Sequence, residues 1–133
     1  TQNVTATNTR GNEQVFAPDR AVDGDPATYW ATDDGVVSGS IEVSFDHPQR
    51  INHVDLGEYL PLGQRVKKFT VEAFVDGGWR DVAHGTTIGN RRILPFKGVD
   101  TDRVRVTIHD ARGPLTLRHF RLYNAPKQFE PTS

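Results

Sequence analysis

The chain has 133 residues, a formal net charge of −1, 25% charged residues and no cysteine. That length buries one sizeable core, and the near-neutral charge leaves no electrostatic footprint for nucleic acid or an acidic membrane surface. Disulfides and zinc–thiolate sites are excluded, and no apolar run approaches the ~20 residues of a membrane helix. With no methionine even at position 1, the sequence reads as a piece of a longer protein, with any targeting signal lying outside it.

In chain order, Val4-Thr5-Ala6-Thr7 is a short β-rich opening, and Asn3-Val4-Thr5 has the form of a glycosylation sequon. Asp23-Gly24-Asp25-Pro26 is a turn signal, because Gly accepts positive φ and Asp side chains bond their own backbone. Two readings of Asp23, Asp25 and the Thr28 hydroxyl stand. Clustered hard oxygens on a tight loop suit Ca²⁺. The same carboxylates equally cap backbone N–H groups of an Asx turn, with Tyr29 and Trp30 plugging the core. After a polar, Gly-rich stretch over residues 33–39, apolar residues alternate at Ile41, Val43 and Phe45, and His47-Pro48 is expected to end that strand. Residues 53–56 alternate again, and a loop follows over residues 57–65.

Phe69, Val71, Ala73 and Val75 share one strand face, and Asp76-Gly77-Gly78 predicts a hairpin into residues 79–83. Residues 92–96 contain Pro95 and read as an edge strand, since proline cannot donate to a ladder. Val104, Val106 and Ile108 alternate with Arg103, Arg105, Thr107 and His109. The last strand carries Leu115, Leu117, Phe120 and Leu122, and its slip of phase between Leu117 and Phe120 predicts a β-bulge. Residues 126–133 read as a polar tail. About eight short strands without an amphipathic helix define an all-β, antiparallel β-sandwich over residues 1–125. No nucleophile elbow, phosphate loop or metalloprotease helix is present, so the chain reads as non-catalytic.

Ala21-Val22-Asp23-Gly24 followed by Thr28-Tyr29-Trp30, and later Asp76-Gly77-Gly78-Trp79-Arg80-Asp81-Val82, resembles the discoidin fold. That group includes the coagulation factor V/VIII type C domains and the family 32 carbohydrate-binding modules. Glu58-Tyr59-Leu60-Pro61-Leu62-Gly63-Gln64-Arg65-Val66 and Gly85-Thr86-Thr87-Ile88-Gly89 are similar to the C-terminal domain of family 29 α-L-fucosidases. The resemblance implies a jelly-roll sandwich, secreted or periplasmic, with a structural Ca²⁺ held at Arg20, Asp23, Asp25 and Thr28. A Glu of the final strand usually completes that set; here the matching position is His119.

The resemblance also places a sugar site in the loops at one end, with Glu58, Tyr59, Gln64, Arg65 and Arg112 as the candidate contacts. An aromatic ring stacks on the apolar face of a pyranose while fixed polar groups bond its hydroxyls. Galactose-binding members usually carry Arg near the Glu58 position, so their specificity does not transfer. Three functional classes follow. One is a non-catalytic module that binds galactose- or fucose-type glycan termini for a tethered hydrolase. A second is a sandwich that only buttresses the catalytic barrel. The third, a lipid- or protein-binding discoidin domain, lacks its usual exposed hydrophobic spikes. The histidines are scattered without metal-ligand spacing, and Trp30 and Trp79 read as packing residues.

Overall fold

The computed structural model describes residues 2–25 and 27–126; the expected polar tail lies, but for Pro126, outside them. Eight strands form in order: β1 (Gln2–Ala6), β2 (Trp30–Ala31), β3 (Gly39–Gly57), β4 (Val66–Val75), β5 (Gly78–Gly85), β6 (Arg92–Ala111), β7 (Thr116–Leu117) and β8 (His119–Tyr123). Three short 3-10 turns between β1 and β2, and one at Leu60–Leu62, are the only helical segments among the described residues. The main sheet runs β1-β3-β6-β4-β5 with β8 also on β3, while β2 and β7 make a small second sheet. Every pairing is antiparallel. This is the antiparallel β-sandwich that the alternation predicts.

Two strands are longer than the sequence reading has them. His47-Pro48 does not end the strand: β3 continues to Gly57, and its register against β6 shifts between Ser44 and Gln49 and again between Ile51 and His53. Pro48 falls inside the first shift, where its missing N–H costs no ladder bond to β6. As a result β3 serves two sets of neighbours. Residues 41–45 pair with β1, whereas residues 53–57 pair with β8. β6 likewise absorbs both expected segments, pairing residues 92–95 with the far half of β3 and residues 104–111 with β4. Pro95 sits where β6 has β3 on one side and, among the described residues, no strand paired on the other, as an edge position requires.

The slip between Leu117 and Phe120 is a change of sheet, not a bulge. Leu117 pairs with Trp30 in the small sheet, and Phe120 pairs with Leu56 in the large one. Arg118 bridges the step, its amide donating to the carbonyl of Gly57 at 2.9 Å. Both Leu117 and Phe120 can therefore be buried although they stand three positions apart, because each faces the core from its own sheet.

The core is one cluster enclosed by the two halves of the long strands. Ile41, Val43, Val71 and Val104 come from one half; Val54, Leu56, Phe96 and Phe120 come from the other. Trp30 is fully buried at its centre and keeps its indole N–H satisfied on the carbonyl of Asn8 at 2.9 Å. The expected β4–β5 hairpin forms, its turn being the two residues Asp76 at φ 51° and Gly77 at φ 79°, with Gly78 already in β5. Both positions need positive φ for the turn to follow the strand twist. On the outer sheet face Arg105 grips Glu72 through two bonds of 3.0 Å and lies 4.1 Å over the ring of Trp79.

Candidate functional site

The loop after β3 is organised by a carboxylate that the sequence places at the surface and the structure places underneath. Glu58 is fully buried. Its Oε1 accepts the amides of Arg65 and Val66 at 2.9 and 3.1 Å, and its Oε2 accepts the amide of Gly89 at 2.8 Å. Its own amide donates to the carbonyl of Gly89 at 2.7 Å. Glu58 therefore supports the loops from inside and does not line their surface. Burial of a charged group without such partners would cost several kcal/mol, so the three N–H donors are what makes this position possible.

Above Glu58 the loop of residues 64–66 is zipped to the loop of residues 112–114. The amide of Arg112 donates to the carbonyl of Arg65 at 2.8 Å, and the Arg65 guanidinium donates to the carbonyl of Pro114 at 3.0 Å. This wall divides the five predicted contacts. On one side lies a cleft of about 390 Å³ bordered by Gln64, Val66, Lys67, Thr87 and Arg112. On the other is a cleft of about 280 Å³ bordered by Arg10, Tyr29, Asp34, Leu62, Arg65 and Thr116. Tyr59 borders neither cleft but stacks on Tyr29 of the second, with ring centroids 4.1 Å apart and planes 17° from parallel. Phe16 packs against Tyr29 at 5.6 Å with its plane tilted by 48°.

Arg10 and Asp34 complete that cleft. The guanidinium donates to Asp34 Oδ1 at 2.8 and 2.7 Å and to the carbonyl of Thr32 at 3.1 Å. The bonds to Asp34 raise the affinity of Arg10 for its proton above the ordinary value. The two loops that carry the pair are sewn together beside it: Asp33 accepts the amide of Gly11 at 2.7 Å and the side-chain amide of Asn8 at 3.1 Å. Those bonds, the Gly11 one first, hold the Asp33 carboxyl below the usual carboxylate range. Sequence reasoning missed Arg10, Tyr29 and Asp34. Arg10 and Asp34 are 24 positions apart with no motif joining them. Tyr29 had a signal, because it precedes a buried strand residue and must face away from it.

The expected calcium loop is closed by its own groups. Asp23 Oδ1 accepts the amide of Asp25 at 3.0 Å, and its Oδ2 accepts the Thr28 hydroxyl. Asp25 Oδ1 accepts the amide of Ala27 at 2.9 Å, and the Arg20 guanidinium donates to the carbonyl of Gln14 at 3.1 Å. A cleft of about 350 Å³ does bring residues 21–24 against His119, as the resemblance implies. His119, however, turns its Nε2 toward Asp55, 3.0 Å from Oδ2. With the Arg20 and Thr28 carbonyls, two carboxylates and one hydroxyl make the implied set, against the roughly six to eight oxygens of a calcium shell, and His119 stands where the completing Glu is expected. Among the described residues no group of three or more His, Asp or Glu side chains is arrayed for a metal.

Asp55 is itself buried and bonded to Arg91, whose Nη2 lies 2.8 Å from Oδ2. Burial pushes its carboxyl up, but the bonds from Arg91 and the neighbouring His119 outweigh burial and hold it below the ordinary value.

The family profile of the F5/8 type C domain matches residues 3–120. The chain is similar to an Oryza sativa subsp. japonica protein assigned as α-L-fucosidase 1, at 33% identity over 122 residues, covering 90% of this chain and 24% of the relative. It superposes on the Ruminococcus gnavus GH29 fucosidase in complex with fucose with a TM-score of 0.88 at 25% identity, covering 98% of this chain and 26% of that one. It also superposes on chitosan-binding module 1 of the Paenibacillus sp. IK-5 chitosanase/glucanase, with a TM-score of 0.81 at 25% identity, covering 92% of this chain and 95% of that one. The chain thus spans about a quarter of the two fucosidases and nearly the whole of the binding module. The match across residues 3–120 places the chain in the F5/8 type C, or discoidin, domain family.

Proposed function

We propose that this domain is a non-catalytic carbohydrate-binding module whose sugar occupies the cleft between Tyr29, the Arg10–Asp34 pair and Arg65. One observation carries the reading: an aromatic stack and an oppositely charged pair converge on a cleft of about 280 Å³. That is the small end of ligand clefts and suits one sugar ring. Tyr29, braced by Tyr59 and Phe16, supplies the apolar contact, while Arg10, Asp34 and Arg65 offer directed donors and acceptors to ring hydroxyls. Glu58 contributes by fixing the backbone of Arg65.

The relatives support the sugar class. One is described as chitosan-binding and another is in complex with fucose. A galactose- or fucose-type terminus is the ligand we propose, with Kd on the order of 0.1–10 mM. Such weak binding serves a module tethered to a hydrolase, because effective concentration raises the occupancy of the attached catalytic domain on its substrate.

Isothermal titration against fucose, galactose and chitotriose tests this. We expect binding to at least one, with Tyr29→Ala and Arg65→Ala each weakening it about fivefold or more. Silence across the panel with the protein folded would favour the buttress reading. Binding that survives both substitutions would place the sugar elsewhere.

A further inference from the structure

We propose that the cleft on the other side of the loop wall, between Gln64, Lys67, Thr87 and Arg112, is a second subsite that takes the carboxylate or sulfate of an acidic sugar. The proposal rests on the reading of the domain as a glycan binder, but its residues are separate from those of the neutral-sugar cleft. Three features of the structure lead to it.

First, the cleft is basic and has no aromatic surface. Lys67 and Arg112 stand on its rim, and Arg92 donates to the carbonyl of Thr87 at 2.9 Å along its wall. The side chain of Arg112 is exposed and makes no ion pair among the described residues. Lys67 is 3.3 Å from Asp110, but both side chains are about half exposed, at 49% and 52%. Such a surface pair holds its partners weakly, so an incoming anion displaces it at little cost.

Second, its walls are fixed in advance. The fully buried Glu58 binds the amides of Arg65 and Val66 on one wall and of Gly89, two residues from Thr87, on the other. A buried carboxylate that ties two surface loops together sets the width of the cleft between them before any ligand arrives. Preorganisation of that kind removes an ordering cost from binding.

Third, the donor set matches an oxyanion. Arg112 presents a planar fork to a carboxylate or sulfate, Lys67 adds a point charge, and Gln64 and Thr87 supply neutral hydrogen-bonding groups. Nothing in the cleft offers a pyranose face a ring to stack on. An anion therefore fits this side of the wall and a neutral sugar fits the other.

The test follows amide signals of the full chain by NMR while galactose, galacturonic acid, galactose 6-sulfate or sodium sulfate is added. We expect galacturonic acid and galactose 6-sulfate to move the amides of Gln64, Lys67, Thr87 and Arg112, and galactose to leave those four in place. Arg112→Gln should weaken the acidic ligands about tenfold, and raising salt from about 20 to about 300 mM should weaken them severalfold. Equal movement of the four amides by galactose and galacturonic acid would overturn the proposal, as would indifference to Arg112→Gln. Sodium sulfate as effective as galactose 6-sulfate would place recognition in the bare ion and overturn the acidic-sugar assignment. Signals of Arg10, Tyr29 and Asp34 report separately on the neutral-sugar cleft, so either site can fail alone.

Discussion

Glu58 and Gly89 hold each other in both directions: the carboxylate of Glu58 accepts the Gly89 amide at 2.8 Å, and the Gly89 carbonyl accepts the Glu58 amide at 2.7 Å. The side-chain half of this clasp can be removed without touching the backbone half. Glu58→Gln keeps the shape but turns an N–H₂ group toward at least one of three amide donors. We expect a loss of about 1–3 kcal/mol, and more than about 3 kcal/mol for Glu58→Ala, which strands all three. Urea denaturation followed by tryptophan fluorescence measures it, with an unchanged slope showing that stability alone has moved.

Acid should destabilise the domain through Asp55 and Glu72. Burial raises the Asp55 carboxyl, but Arg91 and His119 bring it net below its ordinary value; the bonds from Arg105 do the same for Glu72, against partial burial. Groups depressed in the folded state stabilise it fully above the unfolded carboxylate pKa, about 4, and lose that contribution as pH falls through their folded values. Melting temperature should therefore hold level at pH 5 to 7 and fall below about pH 4. Asp55→Asn and Glu72→Gln should each lower the neutral plateau and flatten the acid slope. An unchanged slope in both variants would mean that other carboxylates drive acid unfolding.

Calcium should matter little to the loop of Asp23. Its carboxylate already satisfies the Asp25 amide and the Thr28 hydroxyl. Asp23→Ala is expected to cost about 1 kcal/mol, as loss of a capping side chain does, equally with calcium or with a chelator. Differential scanning calorimetry of the chelated protein decides it. A rise of several degrees on adding Ca²⁺, abolished by Asp23→Ala, would show that the loop closes on a cation through backbone carbonyls as well.

Gly85 lies against the ring of Phe69, where an added Cβ would come within 2.9 Å of two ring carbons. Phe69 is fully buried in the core and has no room to retreat. Gly85→Ala should cost about 1–3 kcal/mol from overpacking. Gly78→Ala, facing open space at the other end of the same strand, is the control, and a similar cost for both would remove the packing explanation.

The parts legible in the sequence are those dictated by local chemistry. Alternation at Ile41, Val43, Val104, Val106 and Ile108 marks one sheet face, and Asp76-Gly77 marks the hairpin because few other pairs accept both dihedral angles. The continuity of β3 past Pro48 was hidden, since a proline stops a strand only where its missing N–H is needed. Glu58 was read as a surface residue because the donors that permit its burial come from Arg65, Val66 and Gly89, up to 31 positions away. Arg10 and Asp34 meet only after Asn8 and Asp33 have joined their loops. A site assembled from such distant segments leaves no spacing to find.

Because β3 and β6 each run through both halves of the sandwich, neither half is an independent unit. Opening one half would strip the same strands from the other, so the domain should melt as a whole and not by parts. Amides in the middle of β3 should then exchange with solvent only through global unfolding, at the rate set by total stability. A binding surface mounted on such a frame has no hinge beneath it. Its clefts are presented to a ligand in one shape, and selectivity is set by what their rims carry.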